Sequence, residues 1–145
     1  TINLPALGTS SWQTVAASPV AMPRPTIVVT ALAGGRYRIV ASDPSARELR
    51  LTLVSDQPMS QVSVMGHPVN APAAGTPLVV RWADPGQGFA MSFVAPAGTT
   101  LHWAAFHDGW PDDARALPRR EPDTMPFGAS DSLVVTGQLA ITPPG

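Results

Sequence analysis

From Pro25 onward, apolar and polar residues alternate with a period of two along most of the chain, the pattern of strands that bury one face. Ile27-Val28-Val29-Thr30 opens the series, Gly34-Gly35 supplies a hairpin turn, and Arg36-Tyr37-Arg38-Ile39-Val40 returns. Glu48-Leu49-Arg50-Leu51-Thr52-Leu53 places its leucines on one face and Glu, Arg and Thr on the other. The same phase recurs in Val62/Val64, Leu78/Val80/Trp82, Phe89/Met91/Phe93 and Leu101/Trp103/Ala105, and a last strand is predicted from Leu133 to Thr142. Asp56-Gln57-Pro58, Gly66-His67-Pro68, Asp84-Pro85-Gly86 and Pro96-Ala97-Gly98 lie between these runs and carry turn chemistry. No long stretch shows a 3.6-residue apolar stripe free of Pro and Gly. Eight or nine short strands of this kind predict an all-β fold, an antiparallel β-sandwich of immunoglobulin-like or jelly-roll type, because each one-sided sheet must bury its apolar face against another.

Two segments depart from the rhythm. Residues 1–25 are rich in Pro, Ala, Ser and Thr and end in Ser18-Pro19-Val20-Ala21-Met22-Pro23-Arg24-Pro25, where each proline lacks a donor and biases its predecessor toward extended geometry. They read as a Pro-rich entry segment, a linker or an edge-hugging strand, before a single domain at 26–145. Residues 107–131 form a long loop rich in acids, with three Arg and four Pro. Loops of this length within a domain are uncommon unless they are functional or packed by their own side chains.

Composition narrows the classes. The chain has 145 residues, 17 Pro, 12 Gly and no Cys, and its nine cationic residues are all Arg. That length supports one domain with a true core. Without Cys there is no disulfide, thiolate metal site or thiol nucleophile. A net charge of −1 provides no field for a polyanion, so nucleic acid is not an expected partner. No apolar run is long enough to span a bilayer, and Thr1 opens no signal-peptide pattern, so this segment is not expected to insert in a membrane. The beginning reads as that of a fragment of a longer polypeptide. Missing Lys beside abundant Ala, Arg, Pro and Gly fits GC-rich, bacterial coding.

Candidate chemistry is sparse. His67, His102 and His107 are the only histidines, and the odd separation of the last two puts them on opposite faces of a regular strand. No zinc-ligand spacing is present, and Asp108, Asp112 and Asp113 lack the spacing of a calcium loop. Ser130, His107 and Asp108 make a triad on paper, without a Gly-x-Ser-x-Gly elbow to present the serine. No catalytic residue, metal site or cofactor is therefore expected in this chain. Trp82 and Trp103 share the core phase, whereas Trp12 and Trp110 have loop-like surroundings and leave open a carbohydrate-binding or other ligand-binding module as the alternative function.

The segments Pro118-Arg119-Arg120-Glu121-Pro122-Asp123-Thr124-Met125-Pro126 and Ser130-Asp131-Ser132-Leu133-Val134-Val135-Thr136 add a resemblance. They are similar to the closing motif of membrane-anchored zinc metallopeptidases of the endoplasmic-reticulum and vacuolar aminopeptidase type, and Asp108-Gly109-Trp110-Pro111 is loosely similar to a turn that precedes that motif. Arg120-Glu121 within the Pro-rich motif and Val134-Val135 in the final strand depart from the common pattern. In such proteins the zinc ions belong to an N-terminal α/β domain, followed by membrane helices and a soluble β-rich tail. None of the zinc-ligand segments lies in this chain, so no catalytic residue is carried over. The resemblance implies a non-catalytic accessory domain on the extracytoplasmic, periplasmic side, whose partner is the catalytic domain of the same polypeptide. Its expected work is docking on that domain or shaping access to its active site. Trp110 and Phe127 as aromatic anchors, with Arg119 and Arg120 as partners of acidic groups, form the expected contact surface. The competing expectation is that loop 107–131 only folds back over an open sheet edge and shields it.

Overall fold

The computed structural model describes residues 2–4, 8–10, 22–109 and 132–141. Eleven strands are present among them: β1 (Ile2–Leu4), β2 (Gly8–Ser10), β3 (Thr26–Ala31), β4 (Arg36–Ser42), β5 (Glu48–Val54), β6 (Ser60–Val64), β7 (His67–Pro68), β8 (Leu78–Ala83), β9 (Phe89–Val94), β10 (Thr100–Asp108) and β11 (Ser132–Ala140). Among the described residues, β1 and β2 form a two-stranded sheet of their own. The rest form a five-stranded sheet in the order β3-β4-β9-β6-β7 and a four-stranded sheet in the order β11-β10-β5-β8, and every pairing is antiparallel. No α-helix occurs among the described residues, as the missing 3.6-residue period predicts. Among the described residues there is accordingly no helix long and apolar enough to cross a membrane.

The alternation seen in the sequence is the burial pattern of the sandwich. Tyr37, Ile39 and Ala41 of β4 and Phe89, Met91 and Phe93 of β9 face Leu49, Leu51 and Leu53 of β5 and Leu101, Trp103 and Ala105 of β10 in one continuous core. Leu49, Leu51 and Leu53 are each exposed by 1% or less, so each contributes roughly 1.5–3 kcal/mol of burial free energy. Trp103 is buried, and Trp82 of β8 stacks on Phe89 of the opposite sheet at 5.0 Å, joining the two layers. Of the two tryptophans predicted for the core, Trp103 belongs to it and Trp82 is half-buried against it.

The two sheets form an antiparallel β-sandwich whose strand order can be compared with that of immunoglobulin-type sandwiches. In that comparison β3, β4 and β9 correspond in place to the A, B and E strands of one sheet, and β5, β10 and β11 to the C, F and G strands of the other. β6 fills the D position and β8 the C′ position. The chain, however, visits D before C′. The Gly34-Gly35 turn between β3 and β4 has both glycines at φ +73°, a left-handed geometry that other residues adopt only with strain. Gly137 of β11 lies opposite Trp103, and a Cβ there would stand 2.3 Å from the indole ring, so the ring occupies the space that any other residue would need.

Candidate functional site

Three connections meet at one end of the sandwich: the β4–β5 turn (43–47), the β8–β9 turn (84–88) and the base of the long β10–β11 connection. Main-chain hydrogen bonds tie them together. The Asp43 amide donates to the Pro85 carbonyl at 3.0 Å, the Asp84 amide to the Arg47 carbonyl at 2.9 Å, and the Arg47 amide to the Phe106 carbonyl at 2.9 Å. Gly88 closes the middle turn at φ +79°, with its Cα so near the Ala41 carbonyl that a Cβ would lie 3.3 Å from the oxygen.

Side chains lock the same corner. Asp43, only 1% exposed, accepts through Oδ1 from the Ser45 amide at 3.1 Å and from the Ser45 hydroxyl at 3.0 Å, an Asx turn built on Asp43-Pro44-Ser45. His107, 5% exposed, has its Nδ1 3.0 Å from the Ser45 carbonyl. A carbonyl only accepts, so Nδ1 carries the hydrogen. Nε2 then faces Asp43 Oδ2 at 3.8 Å, beyond hydrogen-bond reach, and among the described residues neither atom has another partner.

Arg47 grips the base of the long connection. Its Nη1 lies 2.8 Å from Asp108 Oδ1 and its Nη2 donates to Ser132 Oγ. Asp108 and Ser132 are the last register pair of the β10–β11 ladder, so one guanidinium holds both ends of the connection. Trp110, Arg119, Arg120 and Phe127, the expected contact residues, belong to this connection and lie outside the described residues, as does Trp12.

Of the paper triad, Ser130 lies outside the described residues, and the other two members do not come together. His107 points into the corner, whereas the neighbouring Asp108 side chain is 81% exposed on the other side of β10. Both imidazole nitrogens face protein groups, the Ser45 carbonyl and the Asp43 carboxylate, and among the described residues neither is hydrogen-bonded to a hydroxyl. Glu48 pairs with Arg50 at 3.5 Å, and Arg50 lies over the Phe106 ring at 4.8 Å. Among the described residues no three His, Asp or Glu side chains come together as metal ligands. His67 is exposed in β7, and His102 belongs to the opposite phase of β10 from His107. Sequence reading missed the Asp43–His107 pair and Arg47. The Asx turn is visible in Asp43-Pro44-Ser45, but its histidine is 64 positions away and nothing local joins them.

No protein-family model, no curated protein and no solved structure matches this chain.

Proposed function

We propose that the chain is a non-catalytic interaction domain that docks through the end where turns 43–47 and 84–88 meet the β10–β11 connection. The observation that carries this reading is the double grip of Arg47 on Asp108 and Ser132, which fixes both stems of a 23-residue connection on a rigid frame. In immunoglobulin-type sandwiches the B–C and F–G loops project from one end, where variable domains bind their targets. Here β4–β5 and β10–β11 are those two connections. Binding residues on loops held by a rigid scaffold are a general arrangement. The corner itself favours structure over chemistry, because its one histidine is spent on main-chain and carboxylate neighbours within a buried site.

The partner proposed is the catalytic domain of a membrane-bound, metallopeptidase-like polypeptide of which this chain would be the extracytoplasmic tail. The first test is the encoding gene. Upstream of Thr1 it should specify a zinc-binding α/β domain followed by membrane spans; a start codon or a signal-peptide cleavage site immediately before Thr1 overturns the assignment. The second is calorimetric titration of the full chain against that upstream domain. Trp110→Ala, Phe127→Ala and the Arg119→Ala/Arg120→Ala pair are each expected to weaken binding about tenfold or more, as interface anchors do. Undiminished binding by all of them removes the loop as the docking surface.

A further inference from the structure

The outward face of the five-stranded sheet carries a feature that the docking end does not use. An open cavity of about 490 Å³, within the size range of small-ligand sites, lies across β4, β9 and β6. Arg36 and Arg38 of β4, Ser92 of β9 and Ser63 of β6 contribute its polar groups, and Leu32, Met65 and Ala90 its apolar wall. The five strands of this sheet contain no Asp or Glu at all.

Register explains the convergence. Arg38 pairs with Ser92, and Ser92 with Ser63, so guanidinium and two hydroxyls form one row across three strands. The hydroxyls lie 2.8 Å apart, and one donates to the other, which leaves a single hydroxyl hydrogen free for a third oxygen. Arg36 is held in place by Gln61 Oε1 and by Ser92 Oγ at 3.4 Å. Arg38 is exposed and, among the described residues, has no hydrogen-bond or ion-pair partner. Among the described residues, the site therefore offers donors and positive charge with no carboxylate paired to them.

Backbone strain is concentrated at the same place. Only three non-glycine residues among those described have positive φ, and two of them bear on the cavity: Met65 at +50° lines it, and Gln61 at +49° bonds the lining residue Arg36. Gln61 occupies the bulge between Ser60 and Ser63, which turns its amide toward Arg36. Met65 precedes Gly66 in the two-residue β6–β7 turn, a position that favours Asn or Gly, and its sulfur receives the Ala90 amide at 3.2 Å. Left-handed geometry costs such residues on the order of 1 kcal/mol each, and strained positions of this kind gather at ligand clamps.

We propose that this cavity binds a carboxylate with a short aliphatic tail, its two oxygens on the Arg38 guanidinium and the Ser63/Ser92 hydroxyls and its tail against Leu32 and Met65. Guanidinium forks match carboxylate geometry. The apolar wall suits a singly charged hydrocarbon acid better than a dianion. Two sources present this group, a free aliphatic acid and the C-terminus of a peptide.

The experiment uses the full chain, uniformly 15N-labelled, titrated with isovalerate and with its neutral isostere isovaleramide. Saturable shifts are expected at the amides of Arg38, Ser63, Gly66 and Ser92 with isovalerate, half-complete on the order of millimolar concentration, and none with isovaleramide. Arg38→Gln, an exposed change that leaves the core untouched, should weaken binding about tenfold. Arg81→Gln, on the exposed edge of the other sheet, should leave it unchanged. A tetrapeptide ending in valine, as free acid and as amide, separates the sources. Acid binding at least tenfold tighter than isovalerate assigns the site to peptide termini, and equal or weaker binding assigns it to free acids. Any one of four results overturns the proposal: no saturation with any acid, equal response to isovaleramide, equal loss in Arg38→Gln and Arg81→Gln, or displacement of isovalerate by equimolar inorganic phosphate.

Discussion

Gly137 shows how one residue can be dictated by a neighbour on another strand. Its backbone geometry makes no special demand, yet the Trp103 ring fills the place of its side chain, with a ring carbon 2.3 Å from where a Cβ would be. Gly137→Ala must therefore push the indole out of a packed core, a change that costs about 1–3 kcal/mol. Urea unfolding should show a lower midpoint at unchanged slope. A Trp103→Leu background should absorb most of the added methyl, so the double variant should lose less than the two single losses combined, as contacting sites do. Full additivity would mean that the close approach has no energetic weight. Asp43 and His107 show the reverse relation between sequence and site. Asp43-Pro44-Ser45 announces an Asx turn, but the burial of its carboxylate against a histidine on β10 depends on which strands become neighbours, and that information is not local.

At the scale of elements, the strands were legible because each buries one face, and a period of two needs no partner to be recognised. Observed bounds differ from the predicted ones by a residue or two. β3 gains Thr26 and Ala31, and β11 runs Ser132–Ala140; the Ile141 amide still donates to the Thr99 carbonyl in line with the β10–β11 register and its side chain is buried, while Thr142 lies outside the described residues. The cavity on the five-stranded sheet was half legible. Arg36 and Arg38 flank the inward Tyr37, which places both on the outward face, but Ser63 and Ser92 join them only through the β4–β9 and β9–β6 registers. The grip of Arg47 is likewise a property of assembled elements. Its ion pair with Asp108 is largely solvated, so Arg47→Ala should lower global stability by no more than about 1 kcal/mol. The local consequence should be larger. Hydrogen exchange at the amides of Asp108 and Ser132 should rise in the variant while that of Leu51 and Phe93 stays at the wild-type rate. Equal acceleration at all four positions would show that Arg47 supports the whole fold and not the connection.

For the molecule as a whole, the determining feature is that both sheets share one core, with Leu51 and Phe93, Trp103 and Met91 in a single cluster. Neither layer keeps its apolar face covered without the other. Tryptophan fluorescence and far-ultraviolet circular dichroism should follow one coincident urea transition; separated transitions would divide the sandwich into independently stable layers. What the sequence could not reveal is the order in which the sheets are filled. Turn residues between strands mark where the chain reverses, but they do not distinguish a hairpin from a crossing to the other sheet. The early visit to the D position by β6 therefore appears only in three dimensions. Strand order also has a consequence during synthesis. The five-stranded sheet is complete in sequence once Val94 has been made, whereas β5, whose central ladder pairs Glu48 with Phe106 and Val54 with Thr100, waits for a strand made much later. A ribosome-bound chain passes through an interval in which Leu49, Leu51 and Leu53 have β8 on one side and nothing on the other. Emergence of β10 ends that exposure, so the rate of elongation through residues 95–108 sets how long the nascent chain depends on chaperones.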